Sequence, residues 1–191
     1  METFLFYFDL GFDHVLDLGG LDHFYFLVAL SLPFAFKNWR KLLLWVSLFT
    51  LGHSLSLLIT HFEWIKINAA WVEFLIPVTI CITCFSILIQ KKHTHLSGIW
   101  INLITLFFGL IHGFGFGRYF KMIAIKGEAI IGLLEFALGV EFAQVLIVIF
   151  VLLINWAALG FLKIPNQKWQ WIIAAMVLSQ AILMTSNNWP F

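Results

Sequence analysis

The stretch EAIIGLLEFALGVEFAQVLIVIFVLLI, Glu128 to Ile154, decides the fold class. It holds no Lys, Arg or Pro and exceeds the roughly 20 apolar residues that cross about 30 Å of hydrocarbon. Strands in globular proteins run to about 10 residues at most, so a continuous apolar run of this length is a transmembrane helix. Its three polar interruptions, Glu135, Glu141 and Gln144, then stand inside a bilayer, where each needs an explanation.

Working outward from this segment, five more stretches are long and apolar enough to span: Gly20 to Phe36, Leu42 to Thr60, Ile67 to Ile89, Gly98 to Gly117 and Trp169 to Asn187. The 191 residues are 62% hydrophobic and 11% charged, against about 25% charged in a soluble domain, so the chain lacks the polar surface that a water-soluble globule requires. The expected fold is an all-α integral membrane protein: one domain, residues 1–191, of about six transmembrane helices. Thr3 to Leu18 is apolar but broken by Asp9, Asp13, His14 and Asp17, and reads as a short N-terminal interfacial or re-entrant helix, with a seventh span as the alternative. Met1 to Leu10 carries Glu2 and Asp9 and no basic residue, so it is read as mature chain rather than signal peptide. Cys81 and Cys84, one helical turn apart in an apolar run, read as packing residues. A net charge of +1 offers no basic face for nucleic acid.

Lys and Arg set the expected orientation. With the N-terminus outside, Lys37, Arg40, Lys41, Lys91, Lys92, Lys163 and Lys168 fall inside, against Lys66, Arg118, Lys121 and Lys126 outside. All nine Trp lie near span ends, as an interfacial belt requires. Both termini are therefore expected outside, in a bacterial cytoplasmic membrane. Pro33 and Pro77 lie within spans, where neighbouring helices must satisfy the carbonyls they free. Gly109, Gly113, Gly115 and Gly117 crowd one end of the fourth span and let backbones approach closely.

An ionisable residue within the membrane is by default a functional hypothesis. Asp22 and His23 open the first span, His53 lies in the second, Glu73 in the third and His112 in the fourth. At about 1.5 Å per residue, all five lie within roughly 10 Å of the outer ends of their helices. Five groups from four helices thus share one layer. Deeper, Glu141 and Gln144 are three positions apart and share a helix face, whereas Glu135 points elsewhere. Imidazole with carboxylate suits borderline cations such as Ni²⁺, Co²⁺ or Zn²⁺, while Mg²⁺ and Ca²⁺ prefer all-oxygen shells.

At these residues the chain resembles the HupE/UreJ family of small membrane proteins. The resemblance runs through GFDHVLDLGGLDHF from Gly11 to Phe24, FTLGHSLSL from Phe49 to Leu57, FGLIHGFGF from Phe108 to Phe116 and LGVEFAQ from Leu138 to Gln144. It implies a link to nickel supply, and Asp22-His23 and Gly52-His53-Ser54 resemble elements of nickel/cobalt permeases; with the intramembrane residues above, the candidate metal site takes in His14, Asp22, His23, His53, Glu73, His112, Glu141 and Gln144. Two departures stand out. Seven residues separate His14 from Asp22 where the permease signature has four, and one His stands in the fourth-span motif where better-known members have two.

Three functions fit. A permease would capture a divalent transition metal at the outer cluster and pass it to Glu141 and Gln144, with Asp9, Asp13 and Asp17 concentrating cations at the mouth. An intramembrane zinc hydrolase would use three His as ligands and a carboxylate as base on lipid-linked substrates, although no His-Glu-x-x-His is present. The third is a non-transporting subunit of an envelope complex. His93 and His95 in an inner loop read as solvated beside Lys91 and Lys92, with metal receipt as the alternative. Expected partners are membrane lipids and the metal ion.

Overall fold

The computed structural model describes residues 2–89, 99–125 and 127–191. His93, His95, Lys91, Lys92, Lys126 and the first residue expected for the fourth span lie outside them. Seven α-helices follow in order: α1 (Glu2–Leu16), α2 (Asp22–Ser31), α3 (Trp39–His61), α4 (Ala69–Ile89), α5 (Ile99–Ile123), α6 (Ala129–Gly160) and α7 (Asn166–Asn187), with a 3₁₀ turn at Phe36–Asn38 before α3. Among the described residues there is no strand. Helices α3 to α7 are each long and apolar enough to cross a membrane.

The expected first span, Gly20 to Phe36, is cut short: its helix, α2, is not among those long enough to cross alone. Helix α2 has 10 residues, about 15 Å of rise and half a bilayer. Pro33 brings no N–H to continue the ladder and ends α2 just after a still-helical Leu32, and Phe34 N–H closes a turn on Ser31 O at 3.0 Å. The orphaned carbonyl of Leu32 accepts from Gln170 Nε2 on α7 at 3.2 Å. The N-terminal segment, expected as a short helix, is α1, and it lies lengthwise along the first half of α6. Gly11 meets the backbone of Phe136 and Val140, and Gly139 meets that of Phe8 and Phe12. Tyr7 packs on Gly132 and accepts the N–H of Ile125 at 2.9 Å. Helix α2 faces the second half of α6 across a groove shared by Tyr25, Val28, Val151 and Ile154. Together α1 and α2 accompany the 32 residues of α6, joined by a break that Asp17 holds: its carboxylate accepts Gly19 N–H at 2.8 Å and its carbonyl accepts Gly20 N–H at 3.1 Å.

The tightest pairing is α3 against α5. Gly52, Ser56 and Thr60 form a stripe of small residues at i, i+4 and i+8, facing the stripe Gly109, Gly113 and Gly117. Gly109 abuts Phe49, Gly113 abuts His53 and Ser56, and Gly117 abuts Thr60, so the two helices run in the same direction with their backbones touching. Helix α4 passes through Pro77 unbroken. A proline there removes the bond to the carbonyl four residues back, and that carbonyl, Glu73 O, accepts from Asn188 Nδ2 beyond α7 at 3.2 Å.

Candidate metal site

Four imidazoles from four helices meet between these pairs. Rings of His14 (α1) and His23 (α2) have centroids 4.8 Å apart, and His53 (α3) lies 5.4 Å from each of them. His112 (α5) lies 5.4 Å from His23. His14, His23 and His53 each offer a ligand atom, all within 4.8 Å of one another. Two metal–nitrogen bonds of about 2.1 Å span at most about 4.2 Å, so a slight closure of the side chains would complete a shell.

The fold explains the convergence. The α3–α5 stripe places His53 and His112 beside one another because Gly113 touches the backbone of His53. The break at residues 17–21 explains the seven-residue spacing: in one continuous helix His14 and His23 would lie about 13 Å apart along the axis, but on two half-helices they meet. Phe26, Phe49, Phe116 and Phe136 wall the cluster, with Phe116 4.0 Å from His14 and Phe49 4.9 Å from His112, centroid to centroid.

The rings are poised as acceptors. His112 Nδ1 donates to Phe108 O at 2.8 Å, which leaves Nε2 with its lone pair free. His23 Nδ1 lies 3.3 Å from Asp22 Oδ1, which fixes the same tautomer. Asp22 thus stands behind His23 as an orienting carboxylate, an arrangement that raises ligand basicity at metal centres. His14 Nε2, His23 Nε2, His112 Nε2 and both nitrogens of His53 are buried without a hydrogen-bond partner. Each such orphan costs about 1–3 kcal/mol, and a bound cation would remove that cost at one nitrogen of each ring that faces it. Imidazole donors in an apolar shell suit Zn, Ni and Cu and offer nothing to Mg²⁺ or Ca²⁺.

The family model described as HupE / UreJ protein matches residues 1–189 of the 191. The chain belongs to the HupE/UreJ family. No curated protein and no solved structure matches it.

The remaining expected residues of this HupE/UreJ chain lie apart from the four rings. Glu73 shares their depth but not their direction: Val72 and Ile76 on α4 are buried, whereas Glu73 is exposed and lines a separate pocket with Lys66, Arg118 and Lys121. Glu141 and Gln144 do share a face, and it turns to α3. Ser47 Oγ donates to Glu141 Oε1 at 2.6 Å, Thr50 donates to Glu141 Oε2, and Gln144 Oε1 lies 3.1 Å from Thr50 Oγ1. Sequence reasoning passed over Ser47 and Thr50. Their signal was Thr50 at i−3 from His53, a hydroxyl beside the imidazole on one helix face. Asp13 and Asp17 line an open pocket with His14, Phe116 and Tyr119, which brings carboxylates to the edge of the cluster.

Proposed function

We propose that this protein is a permease for a divalent transition metal, with His14, His23, His53 and His112 as the capture site and Asp22 as the residue that orients His23. Family membership supports a role related to nickel or cobalt transport. The observation that carries the reading is the set of buried imidazole nitrogens without partners, drawn from four helices and walled by aromatic rings. Buried polar atoms are nearly always paired, so four rings that each turn an unpaired nitrogen into one cluster support a cation site there.

In this reading Asp13 and Asp17 draw cations to the open pocket beside His14. The oxygens of Glu141, Ser47, Thr50 and Gln144, which meet at the α3–α6 interface, serve as the next station. Conduction needs successive sites from which the ion can leave, and a change from imidazole to oxygen donors supplies a weaker one for a borderline metal. Both termini are outside in this reading, so cysteines replacing Lys163 should label only from the cytoplasmic face and those replacing Lys66 only from the outer face.

The test is radiometal uptake into proteoliposomes beside equilibrium binding in detergent. His23→Ala and His53→Ala should abolish tight binding of Ni²⁺ or Co²⁺ and uptake together, whereas Glu141→Gln should keep binding and stop passage. Wild-type protein that holds zinc, moves none of Ni²⁺, Co²⁺ and Zn²⁺, and hydrolyses a lipid ester or amide would replace the permease with the enzyme.

A further inference from the structure

A further cavity, which touches the family blocks only at Phe108, lies where α2 stops short. It measures about 180 Å³, somewhat larger than the ~150 Å³ apolar cavity that accepts benzene. The end of α2, the start of α3 and the facing sides of α4 and α5 enclose it, and its walls are mostly apolar, among them Leu30, Phe34, Ile87 and Phe108. Ile82 on α4 and Ile104 on α5 also line it, yet they are 51% and 44% exposed on the outer surface of the bundle. The cavity therefore opens sideways between α4 and α5, toward the hydrocarbon in which those helices sit.

Its other end is polar and positive. Asn38 and Lys41 line that end, and Lys41 Nζ stands 5.2 Å above the ring of Trp45, a third member of the mouth. Lys37 and Arg40 are exposed beside it. No Asp or Glu occurs between Leu32 and Phe62 or in α5, and among the described residues none of these three bases forms an ion pair. A metal cation has no reason to enter a chamber with this lining and this charge. A peptide would bring backbone groups that apolar walls leave unpaired.

We propose that this notch holds a segment of one acyl chain of an anionic phospholipid, whose phosphate lies against Lys41 with Lys37 and Arg40 at the rim. The chain enters between Ile82 and Ile104 and fills the space left by the early end of α2. Apolar walls and a cationic mouth match an amphiphile with a single anionic head, and basic residues at a membrane interface select such lipids. The inner end of the chain then rests on Phe26 and Phe108, and Phe26 packs on His112 with centroids 5.3 Å apart.

Native mass spectrometry of the delipidated full chain, titrated with dioleoyl-phosphatidylglycerol or dioleoyl-phosphatidylcholine, tests this directly. One phosphatidylglycerol should be retained at least about five-fold more tightly than phosphatidylcholine, the scale of one basic residue near a lipid head. Lys41→Gln should erase most of that preference and leave phosphatidylcholine unchanged. Ile104→Trp, which crowds the lateral opening from a lipid-facing position, should weaken both lipids, and Ile82→Trp on the opposite wall repeats the test should the first variant lose its melting transition. Equal retention of the two lipids by wild type, a preference untouched by Lys41→Gln, or retention unmoved by both Trp variants would overturn the proposal. Lipid retention is read without metal, so its failure leaves the permease reading intact.

Discussion

Helices α3 and α5 meet through glycine and backbone; α4 and α7 meet through side chains. At the first interface Gly52 faces the backbone of Leu106 and Leu110, and Gly109 faces that of Phe49. At the second, Cys81 Sγ lies 3.9 Å from Thr185 Oγ1, Asn188 reaches Glu73 O, and only Ala174, Val177 and Ala181 of α7 are buried. His53 and His112, two of the four imidazoles, sit at the first interface. A coordination shell tolerates displacements of only about 0.5 Å, and two backbones in contact leave no rotamer freedom between them. A narrow seam of side chains suffices where a helix only has to stay in place.

The largest effect should come from filling the glycine crossing. Gly52→Leu would drive its side chain into main-chain atoms that cannot rotate away, so the cost should reach or exceed the ~1–3 kcal/mol of ordinary overpacking, seen as lost yield or a collapsed melting temperature in detergent. Gly160→Leu, where an added Cβ meets nothing within 4 Å, should leave the melting temperature level or slightly raised, since Gly costs a helix about 1 kcal/mol. Equal damage from the two would break the comparison.

Asp22→Asn should come next. Losing a carboxylate behind a ligating His typically costs 10–100-fold in metal affinity, measurable by titration calorimetry with Ni²⁺. Glu73→Gln, on the side-chain-packed helix, should change that affinity by less than the error of the fit. The smallest effect belongs to Glu63, in the loop after α3, whose carboxyl is held below its usual range first by the hydrogen bond from Lys121 and then by that cation's charge. A depressed carboxyl pKa gives stability that is present above the ordinary carboxylate range and lost as pH falls through the folded value. This pair is exposed, so Glu63→Gln should leave melting at neutral pH unchanged, and a clear loss would mean that the loop carries more of the fold than its packing indicates.

The membrane class and most spans were legible because a bilayer demands long, uninterrupted apolar runs, and these survive any detail of packing. Depth along a helix is equally legible, and it groups Asp22, His23, His53, Glu73 and His112 in one layer. Direction around the helix is not: Glu73 shares that layer, but the burial of Val72 and Ile76 turns it the other way. Nor could spacing reveal that His14 and His23 sit on two half-helices, because the break rests on Asp17 accepting two glycine N–H groups. Asp22 reads from sequence as one more ligand, and sequence alone does not show that its carboxylate lies against Nδ1 of His23.

The break at residues 17–21 gives the cluster the mechanics of a clasp. One leaf is α1, fastened to α6 through Gly11 and Gly139, and it carries His14; the other is α3 zipped to α5, and it carries His53 and His112. His23 stands at the seam, on a short helix covalently joined to the first leaf only through the break. Prising the leaves apart by an ångström or two would separate the donors with every helix whole, once the bonds from Ser47 and Thr50 to Glu141 that tie α3 to α6 let go.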